Sequence, residues 1–179
     1  MFRFLHAADV HLDSPLIGLD RYESAPVDAV RSATRRAFEN LVGLAIDEEV
    51  AFVLLAGDLY DGDWKDYRTG LFFGEQMVRL REAQIPVFVV AGNHDAASQL
   101  TKNLRPPDNV HFFSTKKPET RFVEAFGVAV HGQGFATREV TADLTTAYPA
   151  ADGRFFHVGL LHTSLDGRPG HAPYAPTSS

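Results

Sequence analysis

Ala51-Phe52-Val53-Leu54-Leu55-Ala56 is a run of six apolar residues that stops at Gly57-Asp58-Leu59-Tyr60-Asp61. Pro86-Val87-Phe88-Val89-Val90-Ala91 repeats the pattern before Gly92-Asn93-His94-Asp95. Short apolar runs closed by glycine predict strands buried on both faces of a sheet. Between them, Asp66 to Ala83 places Leu71, Phe72, Met77, Val78 and Leu80 at helical spacing, with Arg79 and Arg81 near the end that the helix dipole favours. Upstream, Phe2 to Ala8 reads as a strand opening into the polar cluster Asp9, His11, Asp13 and Ser14. Pro26 to Glu48 reads as an amphipathic helix carrying Val27, Val30, Ala37, Phe38, Leu41, Ala45 and Ile46. Strand, helix, strand, helix, strand at this spacing requires parallel pairing through right-handed crossovers, because tight hairpins cannot link the runs. The fold class is α/β.

Beyond residue 100 the chain becomes richer in strands. Val110 to Phe113 is a short strand. Arg121 to Phe126 and Val128 to His131, joined at Gly127, form a hairpin or a bent pair, and Phe155 to Leu161 is a strand running into His162. Thr141 to Tyr148 reads as a short helix closed by Pro149, and Asp166 to Ser179 has the Gly and Pro content of a loop. With no internal repeat, low-complexity tract or linker, residues 1–179 are expected to form one domain.

The chain has 179 residues, 45% of them hydrophobic and 22% charged, enough to bury a core and outside the disordered and collagen-like ranges. Cysteine is absent, which excludes disulfide scaffolds, thiolate metal sites and thiol nucleophiles. Any metal must be held by imidazole, carboxylate or amide oxygen. No stretch approaches the roughly 20 apolar residues of a membrane span, and the expected location is cytoplasmic. With 17 basic against 23 acidic residues the net charge is -6, which argues against gripping nucleic acid by bulk positive charge. Affinity for DNA would have to come from local patches or a partner.

Four polar clusters directly follow apolar strands: Asp9-Val10-His11, Gly57-Asp58, Gly92-Asn93-His94-Asp95, and His162. In an open α/β sheet such carboxyl ends converge on one edge, where ligands bind. Asp9 and His11, two apart in extended chain, point the same way and can clamp one ion; the alternative is a loop carboxylate beside a surface histidine. Gly57 lets a ligand approach the backbone, and Asp58 can bridge two ions, although Gly-Asp alone is also a turn. Asn93 offers a neutral oxygen, and His94 with Asp95 makes an oriented acid-base pair; the alternative is an Asn turn with a capping Asp. Gly-Asn-His-Asp should arise by chance on the order of once per thousand chains of this size, which favours the functional alternative. His6 and His157, within strands, are expected to be structural, His131 is a candidate to line the site, and His111 and His171 read as surface or loop residues.

Together these motifs resemble the calcineurin-like metallophosphoesterase superfamily, whose signature is Asp-x-His, Gly-Asp-x-x-Asp, Gly-Asn-His-Asp or Glu, a lone His, and a closing Gly-His-x-His. His6-Ala7-Ala8-Asp9-Val10-His11-Leu12-Asp13 with Gly57-Asp58-Leu59-Tyr60-Asp61 is similar to the DNA repair exonuclease branch, the SbcD-type nuclease subunits that work with a coiled-coil ATPase. The resemblance runs from Phe2 to about His162 and implies a layered sandwich of central mixed sheets flanked by helices. It implies that Asp9, His11 and Asp58 hold one divalent ion and Asp58, Asn93 and His162 a second, with His94 as catalytic imidazole and Asp95 as its partner. Asp61 lies where some relatives place a second histidine. The implied reaction is two-metal hydrolysis of a phosphodiester, in DNA first, with a small-molecule phosphodiesterase, a phosphoprotein phosphatase or a regulatory module as alternatives. Mixed oxygen and imidazole ligands suit Mn or Fe, with Zn compatible, and residue types do not choose among them; Mn is the foremost expectation for the two ions. No Gly-His-x-His occurs in the 179 residues, so the expectation is a domain incomplete at its C-terminal end, weak as an enzyme, and prone to form a homodimer through uncovered strands.

Overall fold

The computed structural model describes residues 1–14, 27–60, 67–97, 105–166 and 174–177; Asp61 and His171 lie outside them. Four strands, β1 (Leu5–Ala7), β2 (Val53–Ala56), β3 (Val87–Val90) and β4 (Val110–Phe112), form a parallel sheet in the order β1-β2-β3-β4. Helices α1 (Val27–Asp47) and α2 (Tyr67–Glu82) make the first two crossovers. Because successive crossovers step across the sheet in one direction, a constant right hand puts both helices on the same face, where they touch each other.

Strand alternation divides the core in two. Val53, Leu55, Val87 and Val89 point to the helices and pack with Phe38, Val42, Ala45, Phe73, Met77 and Leu80. Leu54, Ala56, Phe88 and Val90 point the other way, onto Val128, Val130 and Leu160 of a second sheet. That sheet is mixed. Strands β5 (Glu119–Val123) and β6 (Val128–Gly132) form an antiparallel hairpin, and β7 (Phe156–Leu160) runs parallel to β6. The molecule is therefore layered as helices, parallel sheet, mixed sheet. Both faces of β2 and β3 are buried, as their unbroken apolar runs require.

Three local expectations need correction. Strand β1 is shorter than the apolar run: Phe2 and Phe4 precede it and pack at the sheet's end, Phe4 stacked on Phe52 with ring centroids 5.0 Å apart and Phe2 tilted against both. The first hairpin strand stops at Val123; Glu124–Phe126 is a 3-10 turn that Gly127 closes in the left-handed region at φ 63°. The helix expected over Thr141 to Tyr148 reduces to a 3-10 turn, Leu144–Ala147, capped by the Asp143 carboxylate on the Thr145 N–H. Adjacent β-branched threonines and Pro149 explain why it goes no further. Among the described residues, no helix is long and apolar enough to cross a membrane.

Candidate metal centre

The carboxyl ends of β1, β2, β3, β6 and β7 meet at one edge. Beyond β1 and β2 the chain continues as two loops in register: Asp9 N–H donates to the Gly57 carbonyl (3.2 Å), His11 N–H to that of Asp58 (2.9 Å) and Leu12 N–H to that of Leu59 (2.9 Å). Their backbones are unusual. Asp9, His11, Asp13 and Asp58 have φ of 53°, 44°, 57° and 50°, and Gly57 has 79°. Left-handed backbone costs a side-chain-bearing residue about 1–2 kcal/mol. Four such residues on adjoining loops mark a site where the surroundings over-determine the backbone. Gly57 is required here twice over, because a Cβ would also lie 2.6 Å from the His162 ring.

Asp58 and His162 are both buried, at 4% and 5% exposure. The Nδ1 of His162 lies 3.0 Å from the Ala56 carbonyl oxygen, which can only accept. The Nδ1 therefore carries the ring proton, and Nε2 is left facing Asn93 Oδ1 at 3.0 Å and Asp58 Oδ2 at 3.5 Å. Both are oxygen acceptors. A lone pair among acceptors is short of a positive charge, which a metal ion supplies. Asp9, though exposed, adds its carboxylate: ligand atoms of Asp9, Asp58 and His162 all lie within 4.8 Å of one another. His11 Nε2 is 4.0 Å from Asp58 Oδ2. The donor set, carboxylate and amide oxygen with imidazole nitrogen, fits a divalent ion of the Mn, Fe or Zn type.

His94 adjoins this cluster. Its backbone N–H donates to Asp58 Oδ1 at 2.9 Å, and its ring meets that of His11 edge-on with centroids 5.1 Å apart. Asp95 has a different setting from its neighbour. It is buried, and its two carboxylate oxygens accept from the N–H groups of Leu59 (3.1 Å), Tyr60 (2.9 Å) and Gly92 (3.0 Å). Burial raises the Asp95 carboxyl above its usual range although these three bonds oppose the rise, and burial with Asp95 nearby pushes the Tyr60 phenol up. These bonds staple the loop after β2 to the loop after β3, which fixes Asp58 relative to Asn93 and His94.

His131, a candidate to line the site, lies elsewhere: it alternates with Val128 and Val130 and so faces away from the parallel sheet, bonded to Thr120 and His157. His157 is structural, as expected. His6 is exposed on an edge strand, and His111 joins Glu119 and Arg121 across β4 and β5. Two aromatic neighbours of the centre had no local sequence signal. Phe135 meets the His162 ring edge-on (5.6 Å) and Tyr174 stacks on it (5.3 Å, 10°); both are brought in by segments distant in sequence.

The sequence profile of the calcineurin-like phosphoesterases matches residues 2–159. The chain belongs to this family. An uncharacterized metallophosphoesterase of Bacillus subtilis, YhaO, is 36% identical over 176 residues, which are 97% of this chain and 43% of that protein. The DNA double-strand break repair protein Mre11 of Sulfurisphaera tokodaii is 31% identical over 125 residues, 67% of this chain and 30% of its own length. That of Archaeoglobus fulgidus is 36% identical over 97 residues, 54% of this chain and 20% of its own. The chain thus spans less than half the length of these relatives.

Proposed function

We propose that this phosphoesterase chain hydrolyses phosphodiesters in DNA with two divalent ions, Mn foremost. Asp9, His11 and Asp58 would hold one ion, and Asp58, Asn93 and His162 the other. The observation that carries the reading is the buried His162 Nε2 directed at two oxygen acceptors, one of them the carboxylate that the second loop shares. Bound ions would supply a nucleophilic water at neutral pH and neutralise phosphate charge. The protein's own groups do the rest. The Ala56 carbonyl keeps the His162 proton on Nδ1, the Asp95 staple aligns the two loops, and the imidazole of His94 gives a proton to the leaving oxygen.

A polymer substrate is favoured by the charges at the rim. The Ser114 carbonyl accepts from Gly134 N–H, so the loops after β4 and β6 lie together, and Phe135 of the second meets the His162 ring. They carry the exposed Lys116, Lys117 and Arg138, whose side chains have no ion-pair or hydrogen-bond partner among the described residues. By contrast Arg3, Arg35 and Arg154 are tied to carboxylates. In a chain of net charge -6, three cations without a partner among the described residues, on loops at the same sheet edge as the centre, would give phosphates flanking a scissile bond somewhere to bind. The similarity to Mre11 proteins favours the same substrate, and the motif resemblance adds a coiled-coil ATPase as partner of the native protein, with cytoplasmic location. Turnover of DNA ends, a cyclic nucleotide, a phosphopeptide and a small aryl diester in excess Mn tests the proposal. Preference for DNA bears it out; preference for the cyclic nucleotide or the phosphopeptide replaces the substrate while leaving the centre in place.

A further inference from the structure

We propose that Asp13, Arg35 and Thr69 form a clamp that holds the Asp9–His11 loop in its ligating shape and so sets the metal affinity of the centre from the helix layer. The proposal rests on Asp9 and His11 being ligands, as proposed above. Asp13 is the third residue of the loop in left-handed backbone, alternating with Val10 and Leu12. Its carboxylate takes a two-pronged bond from Arg35, Nε to Oδ1 at 2.7 Å and a terminal nitrogen to Oδ2 at 2.5 Å, and a third bond from the Thr69 hydroxyl to Oδ2 at 2.6 Å. Its N–H donates to the Thr34 hydroxyl at 3.2 Å. Thr34 and Arg35 belong to α1 and Thr69 to α2, so one loop residue is tied to both helices.

The clamp is well supported in turn. The Arg35 guanidinium lies 4.9 Å above the Phe72 ring, and Thr69 is fully buried. A forked bond between guanidinium and carboxylate fixes direction as well as distance, and partial burial shields it from screening. Both oxygens of Asp13 are consumed by these bonds, which separates it from the ligands two and four residues earlier. Between them, Leu12 is fully buried and plugs the loop into the core. The inner side of the loop is bonded to residues 57–59, and the outer side is held at Asp13. Without the outer hold, three strained residues are free to relax, and the two ligands move with them.

The test uses Asp13→Asn, Arg35→Lys and Thr69→Val in the full chain. Arg35→Lys keeps the charge and loses the fork, so it reports even if Asp13→Asn folds poorly. Hydrogen exchange is measured on the metal-free proteins and Mn affinity by calorimetry. The expected result is faster exchange at the His11 and Leu12 amides with β2 and β3 unchanged, and Mn binding weakened about 10- to 100-fold in Asp13→Asn, less in the other two. Unchanged exchange at His11 and Leu12, or a uniform rise across the sheet, overturns the clamp. Selective loosening in a protein whose wild type binds no Mn overturns the metal reading and leaves the clamp on the loop standing.

Discussion

His162 and the pair His131–His157 are all imidazoles of the mixed-sheet half, yet their ring nitrogens meet opposite surroundings. In the pair, His131 Nδ1 bonds the Thr120 hydroxyl at 2.8 Å, His131 Nε2 meets His157 Nδ1 at 2.8 Å, and His157 Nε2 reaches Asp152 Oδ1 at 3.2 Å. Each donor has an acceptor, and Asp152 is itself paired with Arg154, which draws its carboxyl down to about 2. The row is self-contained. His162 has a carbonyl on one nitrogen and only acceptors on the other. Burial alone therefore does not separate His162 from the structural pair; the count of acceptors against protons does.

The sharpest way to break this contrast is to separate metal from turnover inside the centre. His94→Ala should keep its metal and lose about 10²- to 10⁴-fold in turnover, the usual worth of a positioned acid-base group. Asp58→Asn should lose both. Equal metal loss in the two variants would make His94 a ligand. Next in size is the comparison itself: His162→Gln should weaken Mn binding by at least about 10- to 100-fold, whereas His131→Gln should leave it unchanged, as read by competition with a chelating dye. Reversing the three rim charges at Lys116, Lys117 and Arg138 should reduce DNA binding and its salt slope by up to about 0.9 per lost phosphate contact. Turnover of a small aryl diester should stay as it was.

The smallest effect concerns pH. Burial, then the adjacent His157, lower the pKa of His131 from the ordinary 6.5. The unfolded chain thus takes up this proton first, so folded stability falls as pH drops below about 6.5 and levels off below the lowered native value. One proton changes stability by at most about 1.4 kcal/mol per pH unit. Urea unfolding of metal-free protein between pH 7.5 and 5 should show a shallower acid limb for His131→Gln than for wild type. An identical slope would show that the pair accepts a second proton without cost.

The parallel sheet was legible because β2 and β3 are unbroken apolar runs and their polar ends share one position. The same signal brought Asp9, Asp58, Asn93, His94 and His162 to one edge. Non-local pairing was not legible. Nothing in the sequence near Val128 shows that β6 pairs in parallel with β7, nor near Thr69 that it bonds Asp13. Asp95 illustrates the limit most clearly: adjacency suggested an imidazole partner, while its carboxylate binds three backbone amides, two of them about 35 residues away. Residue type announces chemistry, but only the fold decides which neighbour uses it.

In the proposed centre, divalent ions complete the acceptors around Asp58 and His162. Calorimetric titration of Mn into metal-free wild type and Asp58→Asn tests it most directly. Wild type should take up close to two ions per chain, and the single substitution should abolish both, because Asp58 is the ligand proposed for both ions. Binding of the same number of ions with the same affinity by Asp58→Asn would contradict it.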